Sequence, residues 1–307
     1  MSSADPILLA GSAHPALAAS LAAELGIRAA DRVVQRFPDG ELGIELREPV
    51  SGRTVVIVQP TAPPVADNLV ELLGLLDAAR RAGARRTIAV VPYFGYARGD
   101  NRHGRREPVL ARVAADAIQV AGARHLVAVH LHSPAVEGFF AIPADDVDPV
   151  PVLGAALQPL PEDAVVVSPD LGGARMATRV GAALGRPVAV LIKRRLSGQN
   201  VEMLHVAGEV AGRSCVIVDD MISTGKTVVE AMRALEAAGA HPAFVVAATH
   251  GVFSDGAGAA LRDPRIREIV VTDTIAPVPE AWPPVRVVTI VPALAAAVRA
   301  ALGAALG

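Results

Sequence analysis

Residues 218–227 read Val-Asp-Asp-Met-Ile-Ser-Thr-Gly-Lys-Thr. The apolar residues before them predict a buried strand over Cys215–Asp219, and the adjacent carboxylates of Asp219 and Asp220 close it. The short, hydroxyl-rich turn that follows opens a predicted helix over Val228–Ala238. Backbone N–H groups at a helix N-terminus bind phosphate, and carboxylates accept hydrogen bonds from sugar hydroxyls. This order of elements predicts a site for a phosphorylated sugar.

A P-loop is the first alternative for this segment, because Gly225-Lys226-Thr227 matches the end of that motif. The motif also requires a glycine five residues before its Gly-Lys pair, where this chain has Asp220. A carboxylate at that place would repel the β-phosphate, so the P-loop interpretation is rejected. A second alternative, a solvated acidic turn that binds nothing, stays open on this segment alone.

Composition narrows the class of protein. The 307 residues are 52% hydrophobic and 20% charged, as in a folded globular chain whose length predicts about two domains. A net charge of −2 and an aromatic content of 3% argue against a nucleic-acid-binding surface. The single cysteine, Cys215, falls in a predicted buried strand, which favours a core position, no disulfide framework and a reducing cytoplasm.

We expect a soluble protein without a targeting or membrane segment. The N-terminus, MSSADPILLAGSAHP, lacks the basic region and the long apolar region of a signal peptide. The apolar residues Val287–Gly307 are interrupted by Pro292 and Arg299, and they predict a strand and a short helix instead of a membrane span.

Short β-branched runs alternate with longer segments of helical period, which predicts an α/β fold with mainly parallel sheets. The predicted helices include Ala66–Ala82 and Val109–Val120. The predicted strands are Val55–Gln59, Ile88–Pro92, Leu126–His130, Val165–Ser168, Val188–Ile192, Cys215–Asp219, Phe244–Thr249 and Ile269–Thr272, with a half-exposed strand at Glu41–Leu46.

A weak internal repeat suggests two related halves. Residues 121–123 and 238–240 both read Ala-Gly-Ala, and each precedes a predicted strand that is closed by a histidine, His132 or His250. Helix–Gly-Ala–strand is also a common junction in α/β folds, so the repeat supports the two-domain expectation without establishing it.

Four further segments carry side chains that could bind ligands or take part in catalysis, and each also has an ordinary structural explanation. Phe37–Glu41 is a Pro-Asp-Gly turn with two carboxylates and one aromatic, and an ordinary turn would look the same. The segment Pro92–Arg102 follows a buried strand, and the four arginines at 98, 102, 105 and 106 suit polyphosphate but also a solvated basic loop. Lys193-Arg194-Arg195 are predicted to lie on a Gly-containing loop, which could close over a triphosphate and neutralise moving phosphate charge or could be a solvated turn.

The fourth segment is His130-Leu131-His132, which is followed by Asp145 and Asp146. No cysteine cluster accompanies the histidines, so a structural zinc site is not expected. Mg²⁺ needs few protein ligands, and Asp170 at the end of another predicted strand is a natural partner for it. A histidine pair without a metal is the alternative. Together, the acidic pair, the phosphate turn and the cationic segments suggest phosphoryl-type transfer from a metal nucleotide to a sugar phosphate.

The motifs resemble those of a known family. Residues 218–227 resemble the PRPP-binding loop of type I phosphoribosyltransferases. The ordered set Phe37-Pro-Asp-Gly-Glu, Pro92-Tyr-Phe-Gly-Tyr-Ala-Arg, His132, Ser168-Pro-Asp-Leu-Gly-Gly, Lys193-Arg-Arg and Thr249-His-Gly-Val is similar to the ribose-phosphate diphosphokinases, or PRPP synthetases. The resemblance covers essentially the whole chain, and its motifs are collinear.

The resemblance implies two phosphoribosyltransferase-like domains, over residues 1–146 with the ATP-side motifs and 147–307 with the ribose 5-phosphate loop. It implies that the C-terminal tail packs back on the N-terminal domain. The implied activity is transfer of the β,γ-diphosphoryl group of Mg-ATP to the C1 hydroxyl of ribose 5-phosphate, in a cytoplasmic homo-oligomer built from dimers, for which a hexamer is one form.

The resemblance also implies roles for individual residues. Lys193 and Arg195 would be the catalytic cations, and His132 and Asp170 the Mg²⁺ positions. Ribose 5-phosphate would be bound by Asp219, Asp220, Ser223, Thr224, Gly225, Lys226 and Thr227. ATP would be bound by Arg98, Gly99 and Asp100, and by Phe37, Asp39 and Glu41 from a neighbouring subunit.

The chain departs from the family pattern at several positions. Gly99 replaces a usual glutamine and Ala141 a usual aspartate, which favours a second hypothesis, a catalytically silent regulatory homologue. Ser51 and Thr54 replace a usual Arg and Asp, and the C-terminus is short, so ADP inhibition and phosphate activation are not expected. A third hypothesis, a phosphoribosyltransferase that consumes PRPP, fits less well because such enzymes usually need one such domain.

Overall fold

The computed structural model describes residues 5–102, 104–195, 202–276 and 285–303, with the backbone alone at 193–195 and 202–204. The chain divides into two compact units. The first comprises residues 1–148, 274–276 and 290–307, and the second comprises 149–273 and 277–289. The predicted division into independent domains at residue 146 stays a prediction.

The first unit is built on a six-stranded parallel sheet with the strand order β2-β1-β5-β6-β7-β8. The strands of this sheet are β1 (Ile7–Ala10), β2 (Arg28–Ala29), β5 (Thr54–Val58), β6 (Arg86–Val91), β7 (His125–Val129) and β8 (Ala144–Val147). An antiparallel hairpin of β3 (Arg32–Arg36) and β4 (Leu42–Leu46) stands apart from it.

Helices cover this sheet because their apolar residues recur at helical spacing. On α2 (Val65–Arg81), Leu72, Leu75, Leu76 and Ala79 are fully buried and pack in one core with α3 (Leu110–Ala121) and alternate residues of the strands. The other helices are α1 (Pro15–Leu25), a 3₁₀ helix (Pro134–Phe139) and α8 (Val291–Gly303). The C-terminal α8 packs on α1, and the Arg86 Nη1 donates to the Ala301 carbonyl at 2.9 Å.

The second unit has a seven-stranded sheet with the order β11-β10-β9-β12-β13-β14-β15, parallel except for the β10–β11 pair. The strands are β9 (Val165–Ser168), β10 (Val188–Arg195), β11 (Glu202–Ala207), β12 (Cys215–Ile222), β13 (Phe244–Gly251), β14 (Ile266–Thr272) and β15 (Val285–Val288). One core lies with α4 (Val150–Ala156) and α5 (Ala174–Leu184), and another with α6 (Lys226–Ala237) and α7 (Ala257–Leu261).

The predicted α/β class with two mainly parallel, helix-flanked sheets is confirmed. The prediction was wrong at Lys193-Arg194-Arg195, which was assigned to a loop. Strand β10 continues to Arg195 because its residues 190–195 pair with β11 in antiparallel register. None of the helices in the described ranges is long and apolar enough to cross a membrane.

Candidate active site

The acidic pair lies where β12 meets the carboxyl edge of the second sheet. Strand β12 runs between β9 and β13, and Asp219 and Asp220 are both half-buried near its end. The Asp220 N–H donates to Asp219 Oδ1 at 2.9 Å. Ligands of parallel α/β sheets bind at this edge, because the loops that follow the strands gather there.

Asp170 reaches the same place from the neighbouring strand β9. Its Oδ1 accepts the Gly173 N–H at 3.0 Å, and its carbonyl accepts the Ser168 hydroxyl at 2.7 Å. A Cβ placed on Gly173 would lie 2.8 Å from Ser168 Oγ, 3.7 Å from Asp219 Oδ1 and 3.9 Å from Asp170 Oδ1. Both carboxylates therefore face one small space that the missing side chain of Gly173 leaves open.

Burial raises the pKa of Asp219 to about 8, and the charges of Asp220 and Asp170 shift it in the same direction. Carboxylates gathered in this way fit a hard cation such as Mg²⁺. In the described ranges no three His, Cys, Asp or Glu side chains are arranged to hold a metal. Mg²⁺ here would therefore take most of its ligands from phosphate oxygens and water, as it commonly does.

The turn Ser223–Gly225 joins β12 to α6. Gly225 has a φ of 76°, in the left-handed region, and its carbonyl accepts the Val229 N–H of the first helical turn. Thr224, Lys226 and Thr227 are exposed, and the Lys226 ammonium lies 3.7 Å from Glu230 Oε1. This turn thus carries the hydroxyls and the helix N-terminus that suit a phosphate dianion.

The family resemblance implies ribose 5-phosphate as the ligand of this turn, and on that expectation replacement of Gly225 by alanine should weaken its binding. The new Cβ would lie 2.9 Å from Leu261 Cγ, and the backbone conformation would be strained, by about 1–2 kcal/mol for a left-handed non-glycine residue. The matched control is Gly212→Ala, whose φ of 68° is similar but whose Cβ would have no neighbour within 4 Å. Calorimetric titration should show a larger loss of affinity for Gly225→Ala; equal affinities would contradict the assignment.

The catalytic cations predicted at Lys193 and Arg195 belong to β10, where their backbones pair with Leu204 and Glu202. Their side chains lie outside the described part of the chain. Their assignment as catalytic residues stays a prediction.

The hairpin turn between β3 and β4 displays three predicted ATP-binding residues. The Phe37 N–H donates to the Glu41 carbonyl at 2.8 Å, and Glu41 N–H donates to Asp39 Oδ1 at 3.1 Å. Asp39 and Glu41 are exposed, and the Phe37 ring remains 44% exposed. An exposed aromatic side chain on a tight hairpin is well placed to contact another molecule, such as a ligand or a neighbouring subunit.

The other ATP-side residues follow β6. Arg98 is exposed, while Gly99 and Asp100 are half-buried, and the Asn101 amide donates to Asp100 Oδ1 at 2.8 Å. A Cβ on Gly99 would lie 3.2 Å from the Cβ of Leu110, so any larger side chain would press on α3. The local packing of α3 therefore matches glycine at this position.

The histidine segment follows β7 in the first unit. His132 is exposed and His130 is half-buried with a φ of 48°, a strained conformation for a non-glycine residue. Asp146 Oδ1 accepts the Leu131 N–H at 3.0 Å, and burial raises the pKa of Asp146 to about 6. Asp145 instead accepts from His125 Nε2 at 2.7 Å. The metal roles of His132 and Asp170, which lie in different units, stay predictions.

Sequence reasoning included Thr249-His-Gly-Val in the family resemblance but assigned no role to Phe253 and Ser254, which lie beside the phosphate turn. Phe253 N–H donates to the Ile222 carbonyl at 3.0 Å and Ser254 N–H to the Ser223 carbonyl at 3.1 Å. The hydroxyls of Ser223 and Ser254 lie 2.9 Å apart. The signal was present, because Thr249–Ser254 leaves the strand that was predicted next to the acidic one.

Comparison with known families agrees with the motif order. The N-terminal domain of ribose phosphate pyrophosphokinase matches residues 6–122, and the phosphoribosyl synthetase-associated domain matches residues 164–301. A ribose-phosphate pyrophosphokinase of Thermotoga maritima is 40% identical over 87% of this chain and 86% of its own. The Ralstonia nicotianae protein of the same name is 42% identical over 90% and 87%.

A solved structure extends the likeness to three dimensions. The crystal structure of phosphoribosylpyrophosphate synthetase from Mycobacterium smegmatis is similar, with a TM-score of 0.89 and 36% identity, over 97% of this chain and 99% of that one. The family models and the identities across most of both chains agree with this match. The chain belongs to the ribose-phosphate pyrophosphokinase family.

Proposed function

We propose that the protein transfers the β,γ-diphosphoryl group of Mg-ATP to the C1 hydroxyl of ribose 5-phosphate, giving PRPP and AMP. The observation that carries the proposal is the junction of the half-buried carboxylates Asp219 and Asp220 with the phosphate-ready turn Ser223–Gly225. Family membership and the names of the relatives support it.

The acceptor site is proposed along the end of β12. Asp219 and Asp220 accept hydrogen bonds from the ribose hydroxyls, and the backbone and hydroxyls of Ser223–Thr227 bind the 5-phosphate. The α6 N-terminus adds its dipole to this binding. Fixing the sugar at both ends orients the C1 hydroxyl for attack, which is a large part of catalysis in phosphoryl transfer.

In the transfer step, the C1 oxygen forms a bond to the β-phosphorus of ATP as the bond from that phosphorus to the AMP oxygen breaks. The hydroxyl proton is released, and AMP leaves with the electron pair. Lys193 and Arg195 are proposed to stabilise the negative charge on the diphosphoryl oxygens in the transition state. Mg²⁺, when bound, neutralises part of the polyphosphate charge.

We propose that ATP binds Arg98, Gly99 and Asp100 of one subunit together with Phe37, Asp39 and Glu41 of a neighbouring one. The exposure of the Phe37 ring on its hairpin supports this assignment. The active form would then be a homo-oligomer built from dimers, and the cytoplasmic location expected from the sequence remains part of the proposal.

Shared ATP sites predict complementation between inactive subunits. Phe37→Ala and Asp219→Asn each impair a different half of a site, so mixed oligomers would contain some sites with both halves intact. Refolding the two variants together should restore activity that neither shows alone. Absence of any restoration in verified mixed oligomers would place the whole ATP site within one chain.

One observation favours a second candidate, the catalytically silent regulatory homologue. Gly99 and Ala141 stand where the family motif usually has side chains that contact ATP or metal. The close approach of Leu110 explains why a glycine fits the fold at position 99. It does not bear on whether ATP binds there, so it is compatible with both candidates.

A product assay separates the candidates. The purified protein is incubated with ribose 5-phosphate and Mg-ATP over a range of Mg²⁺ concentrations, and AMP and PRPP are measured. The proposal expects equal amounts of the two products. Nucleotide binding without AMP at any Mg²⁺ concentration would support the silent homologue. Release of diphosphate from added PRPP and a nucleobase would support the phosphoribosyltransferase.

A further inference from the structure

The segment between β13 and α7 pairs with the end of β12 and with the first residue of the phosphate turn. Phe253 N–H donates to the Ile222 carbonyl at 3.0 Å, and Ser254 N–H donates to the Ser223 carbonyl at 3.1 Å. These two bonds continue the pairing of β12 with β13 past the end of the sheet, where Ile222 pairs with Gly251. The path of the turn is therefore tied to a neighbouring strand and not to its own helix alone.

A side-chain contact adds to the backbone pairing. The hydroxyl oxygens of Ser223 and Ser254 lie 2.9 Å apart, a normal distance for an O–H···O hydrogen bond. Ser223 is half-buried and belongs to the proposed phosphate site, whereas Ser254 does not. The Ser254 hydroxyl can thus fix the rotamer of Ser223 and leave one oxygen lone pair or the proton of Ser223 directed to a ligand.

Phe253 in this segment has a strained backbone conformation, and the contacts of its side chain hold it there. Phe253 has a φ of 42°, an uncommon conformation for a bulky residue. Its ring packs against Gly251, where a Cβ would lie 2.6 Å from the Phe253 Cε2, and it contacts the core around α6 and α7. Strain of this kind persists where surrounding contacts over-determine it, and such residues cluster at ligand sites.

Helix α7, which follows this segment, packs against the phosphate turn. The Ser254 carbonyl accepts the Ala257 N–H at 3.0 Å at the start of α7. Leu261 and Ala260 of that helix occupy the space in which a Cβ of Gly225 would lie, at 2.9 and 3.3 Å. Ser223 and Gly225 of the turn thus pack against the Phe253–Leu261 segment, while Thr224 stays exposed.

From these contacts we infer that Ser254 is a positioning residue for the phosphate turn, acting on ribose 5-phosphate through Ser223. It orients the turn before the ligand arrives, so less conformational entropy is lost when the 5-phosphate binds. This role rests on the proposed function for the identity of the ligand, but the ordering of the turn can be measured without a ligand.

The test uses the full-length protein with Ser254→Ala, the conservative Ser254→Thr and a matched control. Ser214→Ala is the control, because its hydroxyl donates to Asp163 Oδ2 at 3.2 Å at the opposite end of β12. Hydrogen exchange is measured in the ligand-free protein at the amides of residues 253 and 254, which donate to the carbonyls of Ile222 and Ser223. Ser254→Ala should accelerate exchange at these amides by about 3- to 10-fold, the equivalent of one lost hydrogen bond. Ser254→Thr should restore it, and Ser214→Ala should leave it unchanged.

Titration with ribose 5-phosphate is the second measurement. Ser254→Ala should raise the Kd for ribose 5-phosphate and the corresponding KM by about 3- to 10-fold while kcat and the KM for Mg-ATP stay within about twofold. Unchanged exchange in a folded Ser254→Ala protein, or an equal effect of Ser214→Ala, overturns the positioning role. If the turn loosens as expected but the wild type binds no ribose 5-phosphate, the positioning role holds and the proposed function fails.

Discussion

Replacing Lys193 by alanine is expected to lower kcat by about 100- to 1,000-fold, the usual cost of removing one group that stabilises transition-state charge. Affinity for ribose 5-phosphate should change by less than about twofold, because the role proposed for this cation is to stabilise the transferring diphosphoryl group and not to bind the acceptor. Steady-state kinetics and calorimetric titration measure the two quantities on the same preparation.

The adjacent Arg194→Ala is the matched control, since it removes the same charge from the same strand and carries no proposed role. A decrease of similar size in both variants would show that the effect is one of general charge or local folding. Full turnover in Lys193→Ala would remove this residue from the mechanism.

Asp219→Asn is expected to abolish most activity and at the same time to stabilise the ligand-free fold. In the proposed site, Asp219 accepts hydrogen bonds from the ribose hydroxyls and carries charge toward the associated metal; the neutral asparagine lacks that charge, so turnover should fall by at least about 100-fold. The stabilisation follows from removing a buried charge that Asp220 and Asp170 repel.

The sign of the pH dependence can be worked out. Burial raises the pKa of Asp219 from the ordinary 3.8 to about 8, so between these values the folded state holds a proton that the unfolded state has released. The free energy of unfolding contributed by this group therefore falls as pH rises through that window. Denaturant unfolding of metal-free protein should show Asp219→Asn more stable than the wild type at pH 8, by about 1–2 kcal/mol, with little difference at pH 4.

Asp163, at the other end of β12, provides a control for which the expected change in stability has the opposite sign. The Ser214 N–H lowers the pKa of Asp163 by donating to it, so Asp163→Asn should destabilise the protein at neutral pH and matter less in acid. Equal stability of Asp219→Asn and the wild type at pH 8 would show that burial and the neighbouring carboxylates do not destabilise the charged form of Asp219. A destabilised Asp219→Asn would mean that this carboxylate serves the fold.

Much of the fold follows from local sequence patterns. Each predicted strand is observed with ends that differ by a few residues, because buried parallel strands are short β-branched runs bounded by turn residues. Strand β1 and helix α1 were missed, because α1 is alanine-rich and of weak amphipathicity, so the apolar run Ile7–Ala10 before it was not followed by a recognisable helix. Their places are set by pairing with β5 and by packing on α8.

The residue types of the candidate site could be predicted from the sequence, but the contacts by which neighbouring strands hold those residues in place could not. Two adjacent carboxylates before a Ser-Thr-Gly turn can be recognised directly in the sequence. The contact of Ser254 with Ser223 depends on a register between β12 and β13 that local patterns do not encode. The extension of β10 through Lys193 to Arg195 likewise depends on its partner β11, so the expected loop became a strand.

The most direct test of the central claim follows the phosphorus atoms of ATP. The protein is incubated with ribose 5-phosphate and Mg-ATP labelled at the α-, β- or γ-phosphorus in separate reactions, and the products are separated. Transfer of a diphosphoryl group places the β and γ labels together in PRPP and the α label in AMP. Recovery of the β label in ADP, with only the γ label transferred, would contradict the account.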